Sequence, residues 1–378
     1  MYPFPADVIL EDRSSGGSMP GAGGRRPAER GKTMKLAIIG TGKIVTEALF
    51  AASHVKEIEM TAIFGRPHSR QKAVDMAARY GIGAVYTDYG ELLSEADIDA
   101  VYIGLVNSVH YSYARKALEA GKHVILEKPF TSTAREAQDL VRLAREKDLF
   151  ILEAITTVHG PVFEKLQEML PRIGALKIHQ GNFSQYSSRY GDYLKGNAAP
   201  AFDPALSGGA LYDINLYNIY VAAALYGKPE KSRYFPNLGF NGVDTSGTAV
   251  LTYPGFQAVL TGAKDSDSPC QTVIQGEKGW IRIPGKPNNP EGLEMEYWDE
   301  DGPDVPSASG GRDRAMIRDQ YSAPPCPHRM VPEFEAFAGI IDRGDREAAE
   351  RCSRASLTVM EILEEARKSA GIRFGVDG

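Results

Sequence analysis

The sequence predicts an α/β fold in two parts: a doubly wound parallel sheet, then an α+β domain built on a mainly antiparallel sheet. Two observations carry this. From Lys35 to about residue 153, short apolar runs rich in β-branched residues alternate with segments of helical period, the pattern of successive βαβ units. Beyond about residue 155 the crossovers stop, and strands of alternating polarity follow one another directly.

The first part has strands at "KLAIIG" (35–40), "EMTAIF" (59–64), "AVYT" (84–87), "AVYIGL" (100–105), "HVILE" (123–127) and "FILE" (150–153). Helices fit between them near 44–53, 69–80, 90–96, 109–120 and 133–147. Six strands and five crossovers fill one dinucleotide-binding domain of the Rossmann type, assigned to 34–154. The second domain, 155–378, opens with the helix "PVFEKLQEML" and continues through "ALKIHQGNFSQY", "GTAVLTYP", "FQAVLTGA" and "GWIRI". The stretch 284–327 is rich in Pro, Gly, Asp and Ser and reads as a long surface excursion with little structure of its own. Two helices near 330–342 and 346–370 close the chain. Residues 1–33 lack periodicity and are expected to form a disordered leader, with Met34 a candidate start. An organelle-targeting peptide is the alternative there, opposed by Asp7, Glu11 and Asp12.

The 378 residues are 43% hydrophobic and 24% charged, ordinary for a globular chain of about two domains. A net charge of -6 leaves no surplus of Lys and Arg to neutralise phosphates, which argues against nucleic acid or an anionic membrane as partner. Cys270, Cys326 and Cys352 are too dispersed for a zinc or redox motif and odd in number, which points to a reducing compartment. There is no signal peptide and no apolar run near the roughly 20 residues that span a bilayer, so a cytoplasmic protein is expected. No cluster of His and Cys suggests a metal.

"LAIIGTGKIVTEAL" sets Gly40, Thr41, Gly42, Lys43 and Ile44 between a strand and a helix, where backbone N–H groups and a helix N-terminus receive a pyrophosphate. Val45 replaces the third glycine of the fingerprint, so the loop taken alone is also compatible with a structural turn. After the second strand, "FGRPHSR" has no carboxylate for the ribose hydroxyls. Gly65 and Arg66, followed by Ser69 and Arg70, offer room and positive charge to a 2'-phosphate, so NADP is preferred and NAD remains open. In "YIGLVNSVH", Asn107 and His110 lie at the carboxyl edge of the fourth strand; they suit the nicotinamide ribose or substrate, or equally a turn and a first helical turn. Glu127, Lys128 and Pro129 end the fifth strand, which aims Lys128 at a cofactor in such folds.

"GTGKI", "NSVH", "ALEAGKHVILEKP", "FDPALSGGALYDINLY", "GEKGWIRI" and "SAGIRF", in this order between Lys35 and Phe374, resemble the glucose-fructose oxidoreductase, inositol dehydrogenase and MocA family. The resemblance implies a second domain with a large open sheet whose flat face joins subunits into dimers or tetramers. It also implies oxidation or reduction of sugars, polyols and cyclic alcohols with a nicotinamide cofactor, with Lys128 beside the nicotinamide and the reacting oxygen, and a commonly cis proline peptide after it. If 209–225 is helical, Asp213 and Tyr217 share one face of a helix. Many relatives carry histidine at the position of Tyr217; the branch resembling glucose-fructose oxidoreductase and dimeric dihydrodiol dehydrogenase carries tyrosine.

Tyr217 is therefore the expected acid/base, with Lys128 lowering the pKa of its phenol and Asp213 orienting substrate or the pair. Against this stands the reading of Tyr217 as one aromatic among Tyr212 and Tyr220 in a packed helix. Asn215 stands where relatives often have glycine, and "EAITTVHGP" lacks an arginine that the dihydrodiol branch often carries. His159, Tyr186 and Arg189 are candidate substrate contacts. The expected activity is hydride transfer between nicotinamide C4 and a carbinol or carbonyl carbon of a sugar, polyol or cyclic diol. The alternatives are a non-catalytic NADP or metabolite sensor on the same fold, and an epimerase or lyase that recycles its cofactor.

Overall fold

The computed structural model describes residues 33–306 and 312–377. The leader expected over 1–33 lies outside the described residues except for its last position.

The first sheet consists of β1 (Met34–Ile39), β2 (Ile58–Phe64), β3 (Ala84–Tyr86), β4 (Ala100–Ile103), β5 (His123–Glu127) and β6 (Ile151–Ala154), all parallel, in the order β3-β2-β1-β4-β5-β6. The helices between the strands are α1 (Lys43–Ala52), α2 (Arg70–Tyr80), α3 (Tyr89–Glu95), α4 (His110–Glu119) and α5 (Ala134–Glu146). Both faces of the sheet are buried, so its strands are largely apolar on both faces. Along β1, Leu36 and Ile38 join one core with α1 and α2, while Ala37 and Ile39 join the other with α3, α4 and α5. Each helix is fixed by local chemistry; α5, for example, begins with Thr133 and Glu136 in a reciprocal capping box.

After α6 (Pro161–Met169), the chain enters a second, eight-stranded sheet. Its strands are β7 (Leu176–Ser184), β8 (Lys231–Leu238), β9 (Asp244–Tyr253), β10 (Phe256–Ala263), β11 (Gln271–Gly276), β12 (Gly279–Pro284), β13 (Gly292–Trp298) and, after a small β14 (Asp304–Pro306) and β15 (Arg312–Arg314) pair, β16 (Met316–Ser322). The order is β16-β13-β12-β11-β7-β10-β9-β8, antiparallel throughout except where β10 runs parallel to β7. The stretch 284–327 is thus not an unstructured excursion. Its Pro and Gly content conceals a short alternation in which Leu293 and Met295 point into the core and Glu294 and Glu296 point out.

One face of this sheet is covered by α6, α8 (Leu216–Tyr226) and α10 (Arg346–Ser369). α8 is apolar all round because it is enclosed on every side. The opposite face presents a row across the strands through Arg233, Val250, Val259, Gln180, Val273 and Arg282, with Phe235 64% exposed. Between β7 and α8 lies the single turn α7 (Tyr190–Tyr193).

The chain then returns to the first sheet. α9 (Val331–Arg343) lays Phe334 and Phe337, both fully buried, on the same core as Leu36, Ile38 and α1. α10 packs against both α5 and α8, so the closing helices tie the two sheets together. No helix among the described residues is long and apolar enough to cross a membrane.

Candidate active site

A cleft of about 680 Å³ opens at the carboxyl ends of β1, β2, β4 and β5 and is closed on its far side by α8, by the end of β10 and by the segment before α9. On the first side, Gly40 leaves β1 with φ +121°, and a Cβ there would lie 2.7 Å from the carbonyl oxygen of Gly104, so only glycine permits the turn. Gly42 then caps α1 in an extended conformation, and Thr41, Lys43 and Ile44 complete the lining. Arg66, exposed beyond β2, lines the same end with Ser69 and Lys72; the Ser69 hydroxyl is anchored on the carbonyl of Arg66 at 3.0 Å. These residues fit a dinucleotide: open backbone at a helix N-terminus for the pyrophosphate, and two cations with a hydroxyl where the second strand ends.

Asn107 also lines the cleft, but its amide donates to the carbonyl of Ser207 at 2.9 Å, so it braces the loop ahead of α8. His110 does not reach the cleft. It is fully buried, its Nδ1 and Nε2 lie 2.9 and 3.1 Å from the carbonyls of Pro129 and Leu105, and burial pushes its pKa down. The first helical turn aims it beneath the cofactor loop, where both ring nitrogens are taken. Glu127 lines the cleft yet turns its carboxylate inward, accepting from the Tyr102 hydroxyl at 2.6 Å and from the Lys128 amide at 3.2 Å.

The Lys128–Pro129 peptide is cis. The Lys128 Nζ donates to the Asp213 carbonyl at 2.8 Å and to Asp213 Oδ1 at 2.9 Å, and lies 5.2 Å from the centre of the Tyr217 ring. The expected uninterrupted helix over 209–225 instead starts with a π-helical turn, Leu211–Asn215, before α8. The wider turn keeps Asp213 and Tyr217 facing the same cleft. Two contacts hold it down. The Asp244 carboxylate accepts from the Leu211 amide at 2.6 Å and from the Tyr234 hydroxyl at 2.8 Å, against Gly209. Asn215 donates to the carbonyl of Leu260 at 2.8 Å, and Asn218 to that of Thr261 at 3.0 Å. Asn215, a departure from the family pattern, thus has a structural role: it ties the helix to β10.

Besides Lys72 at the nucleotide end, two cations farther along the cleft escaped the sequence analysis. Lys264, immediately after β10 and 3% exposed, pairs with Asp213 Oδ2 at 2.8 Å. Arg329, just before α9, lines the cleft and pairs with Glu47 of α1 at 2.5 Å. Neither carries a local motif; a lysine after a strand and an arginine after "PPCPH" look like solvated charges until the chain folds.

The electrostatics follow from burial and neighbours. Burial disfavours the Asp213 carboxylate, but Lys128 and Lys264 outweigh it and hold the group well below the usual carboxylate range. Asp213 is therefore a fixed anion that holds two amines, one on each oxygen. Burial likewise disfavours the charged amine of Lys128, and Asp213, followed by Tyr217, overcomes this and raises its pKa. For Tyr217 burial wins: the phenol sits above its ordinary value although Lys128 and Arg329 pull it down. The expectation that Lys128 lowers this pKa holds for its own contribution and not for the balance, which leaves Tyr217 a neutral phenol.

Of the three candidate substrate contacts, Arg189 lines the cleft. Tyr186 is 46% exposed and stacks edge-on against Tyr190 outside it, its amide bound to Asp267. His159 turns the other way, into the packing beneath α9, with its ring edge-on to Phe337 at 5.0 Å and its pKa pushed down to about 4 by burial. Among the described residues no group of His, Cys, Asp and Glu is arranged to hold a metal.

Comparison with known proteins agrees with this architecture. Residues 34–155 match the model of an oxidoreductase family with an NAD-binding Rossmann fold, and residues 163–282 match the GFO/IDH/MocA C-terminal domain. The chain is 34% identical over 344 residues to scyllo-inositol 2-dehydrogenase (NADP(+)) IolU of Bacillus subtilis, covering 91% of this chain and 99% of that one. It is 30% identical over 255 residues to trans-1,2-dihydrobenzene-1,2-diol dehydrogenase of Xenopus tropicalis, covering 66% and 75%. Among solved structures, the 3-ketoreductase KijD10 of Actinomadura kijaniata in complex with NADP and TDP-benzene superposes with a TM-score of 0.74 at 25% identity, over 91% of this chain and 99% of that one. With both halves of its fold and nearly the whole length of a curated relative matched, the chain belongs to the GFO/IDH/MocA family of oxidoreductases.

Proposed function

We propose that the protein is an NADP-preferring dehydrogenase or reductase of a sugar, polyol or cyclic diol, with Tyr217 as its proton-transfer group. The observation that carries the reading is the meeting of Lys128, from the end of β5, with Asp213 and Tyr217 of the second domain, at the edge of the cleft that the Gly40–Gly42 turn opens. The bound nicotinamide would supply or accept the hydride at the carbinol carbon. The chain's own residues do the rest. Tyr217 holds a proton on its phenol and can give it to a carbonyl oxygen in reduction; in oxidation the same oxygen takes the hydroxyl proton. Lys128, oriented by both the carbonyl and the carboxylate of Asp213, stands beside the ring and favours the anionic form of either oxygen. Arg66 and Lys72, with Ser69, suit a 2'-phosphate, and no carboxylate stands there to prefer NAD.

The names of the relatives support this substrate class: a scyllo-inositol 2-dehydrogenase, a trans-1,2-dihydrobenzene-1,2-diol dehydrogenase and a 3-ketoreductase. The outward face of the second sheet, with Val250, Val259 and Phe235 on it, suits a homodimer or homotetramer, and a cytoplasmic location fits a nicotinamide enzyme with free thiols. The test is an absorbance assay with NADP(H) and NAD(H) over sugars, inositols and diols, beside a fluorescence titration of NADPH. Turnover with a preference for NADP is expected. Binding without turnover of any substrate would replace the reading with a sensor, and product without change in cofactor absorbance with an epimerase or lyase.

A further inference from the structure

Lys128 and Asp213 are in direct contact, so at the distance of a substrate oxygen their charges largely cancel. A positive charge survives at this end of the cleft because Asp213 is shared. Its Oδ1 faces Lys128 and its Oδ2 faces Lys264, which leaves two amines to one carboxylate. Two other charged groups act on Tyr217: Arg329, itself paired with Glu47, pulls the phenol down, and Glu127, whose Oε1 accepts from the Tyr102 hydroxyl, pushes it up. Asp244, which also lies within electrostatic reach of Lys264, is engaged by the Leu211 amide and the Tyr234 hydroxyl, and burial pushes it up to about 6.

Lys264 is built into this position. Its amine donates to the carbonyl of Ala201 as well as to Asp213 and lies 4.1 Å from the centre of the Phe202 ring, a cation over an aromatic face. An ammonium has three donors; two are used here, leaving one, among the described residues, for the cleft that Lys264 lines. A fully desolvated amine is costly to keep. A merely structural role would be served by an uncharged side chain.

We propose that Lys264, by sharing Asp213, adds a second positive charge at the reacting end, acting through Asp213 to fix Lys128 and to favour the anion that forms on Tyr217 or on the substrate oxygen; the catalytic part of this claim rests on the oxidoreductase reading above. Lys264 is thus a positioning residue for the Lys128–Tyr217 pair. It divides the labour between the two lysines: Lys128 acts on the phenol directly, and Lys264 takes up part of the Asp213 charge that would otherwise offset it.

The experiment compares wild type with Lys264→Met and Lys264→Arg, each checked for folding by circular dichroism. Two readouts are taken. The first is the pH profile of kcat for alcohol oxidation, together with KM for NADP. In Lys264→Met the rising limb should move up by about one pH unit, the effect of removing one nearby opposite charge, and kcat at neutral pH should fall about tenfold or more as a result. KM for NADP should stay within about twofold, since the residue serves the reacting end and not the nucleotide end. Lys264→Arg, which keeps the charge, should keep the limb in place even if kcat falls.

The second readout needs no turnover. The tyrosinate ultraviolet difference between wild type and Tyr217→Phe isolates the Tyr217 phenol, and its midpoint should rise when the same pair is compared in the Lys264→Met background. Should Lys264→Met not fold, Lys264→Gln carries the same expectations. A folded charge-free variant with an unmoved limb or an unmoved phenol midpoint overturns the proposal, as does an equal shift in Lys264→Arg. Lack of turnover by wild type on every substrate removes the activity reading, while the phenol titration still decides the role of Lys264.

Discussion

At Tyr217 two opposed effects meet, burial that keeps the phenol protonated and two cations that favour its anion, and burial prevails. On the function proposed above, the phenol would start as a proton donor, so reduction should run faster at neutral pH and oxidation at higher pH. Tyr217→Phe should reduce kcat by roughly a hundredfold or more while leaving NADPH affinity nearly intact, as steady-state kinetics and fluorescence titration would report. Arg66→Ala should weaken NADPH by about tenfold or more, the worth of a charge-assisted contact, and NADH much less; equal losses would contradict the NADP preference. The sequence made Lys128, Asp213 and Tyr217 legible because each sits in a recognisable phrase and the last two are spaced for one helix face. Lys264 and Arg329 were not legible, since their roles come from tertiary contacts to distant segments. For His110 and His159 the sequence left two readings open, ligand contact or structural residue, because sequence position gives a side chain's neighbourhood but not its direction; the structure turns His110 to the carbonyls of Pro129 and Leu105 and His159 against Phe337.

The element that controls the site is the turn into α8. Gly209 has φ +130°, and a Cβ built on it would lie 2.0 Å from Asp244 Oδ1, so the carboxylate can approach the start of the helix only over a bare backbone. Gly209→Ala should cost about 2 kcal/mol or more, displace Asp244, and lower kcat more than NADPH affinity, measured by thermal melting and the assay above. This turn shows where sequence reasoning stops. Its helical content was readable from 209–225, but the widened π turn depends on Asp244 and on the carbonyls of β10, which no local pattern announces. The strands hidden in 284–327 failed for the opposite reason: their alternation is real but brief, and the Pro and Gly around it dominate the composition.

Across the whole molecule, buried carboxyls give the fold a pH dependence. Glu127, Glu153 and Glu333 are each at most 5% exposed, and burial raises all three. Ser356, Tyr220 and the Phe130 backbone lie close enough to the Glu153 carboxyl to favour its anion, but burial prevails and its pKa is pushed up to about 7. At Glu153 the folded state therefore holds its proton between the ordinary Glu value and about pH 7 where the unfolded chain has lost it, so this residue's contribution to stability is greatest at the acid end of that window and falls as pH rises through it. The buried His110 and His159, held below their ordinary values, contribute in the opposite sense over the same range, so the test is a difference between variants: from pH 5.5 to pH 8 the Tm of Glu153→Gln should fall less, or rise more, than that of wild type, with a stake on the order of 2 kcal/mol for this residue.

The two-sheet architecture was readable from the change in periodicity near residue 155. The route of the last helices was not, because α9 carries no mark of which sheet it will cover. Its return has a consequence for engineering. The dinucleotide half cannot be lifted out as residues 34–154 and grafted elsewhere as a cassette, since that excision strips Phe334 and Phe337 from the side of the sheet shared with Leu36 and Ile38. Two buried phenylalanines are worth on the order of 3–6 kcal/mol, comparable with the entire stability of a small domain. A chimaera that swaps nucleotide preference would have to import the distant α9 strip together with the front of the chain.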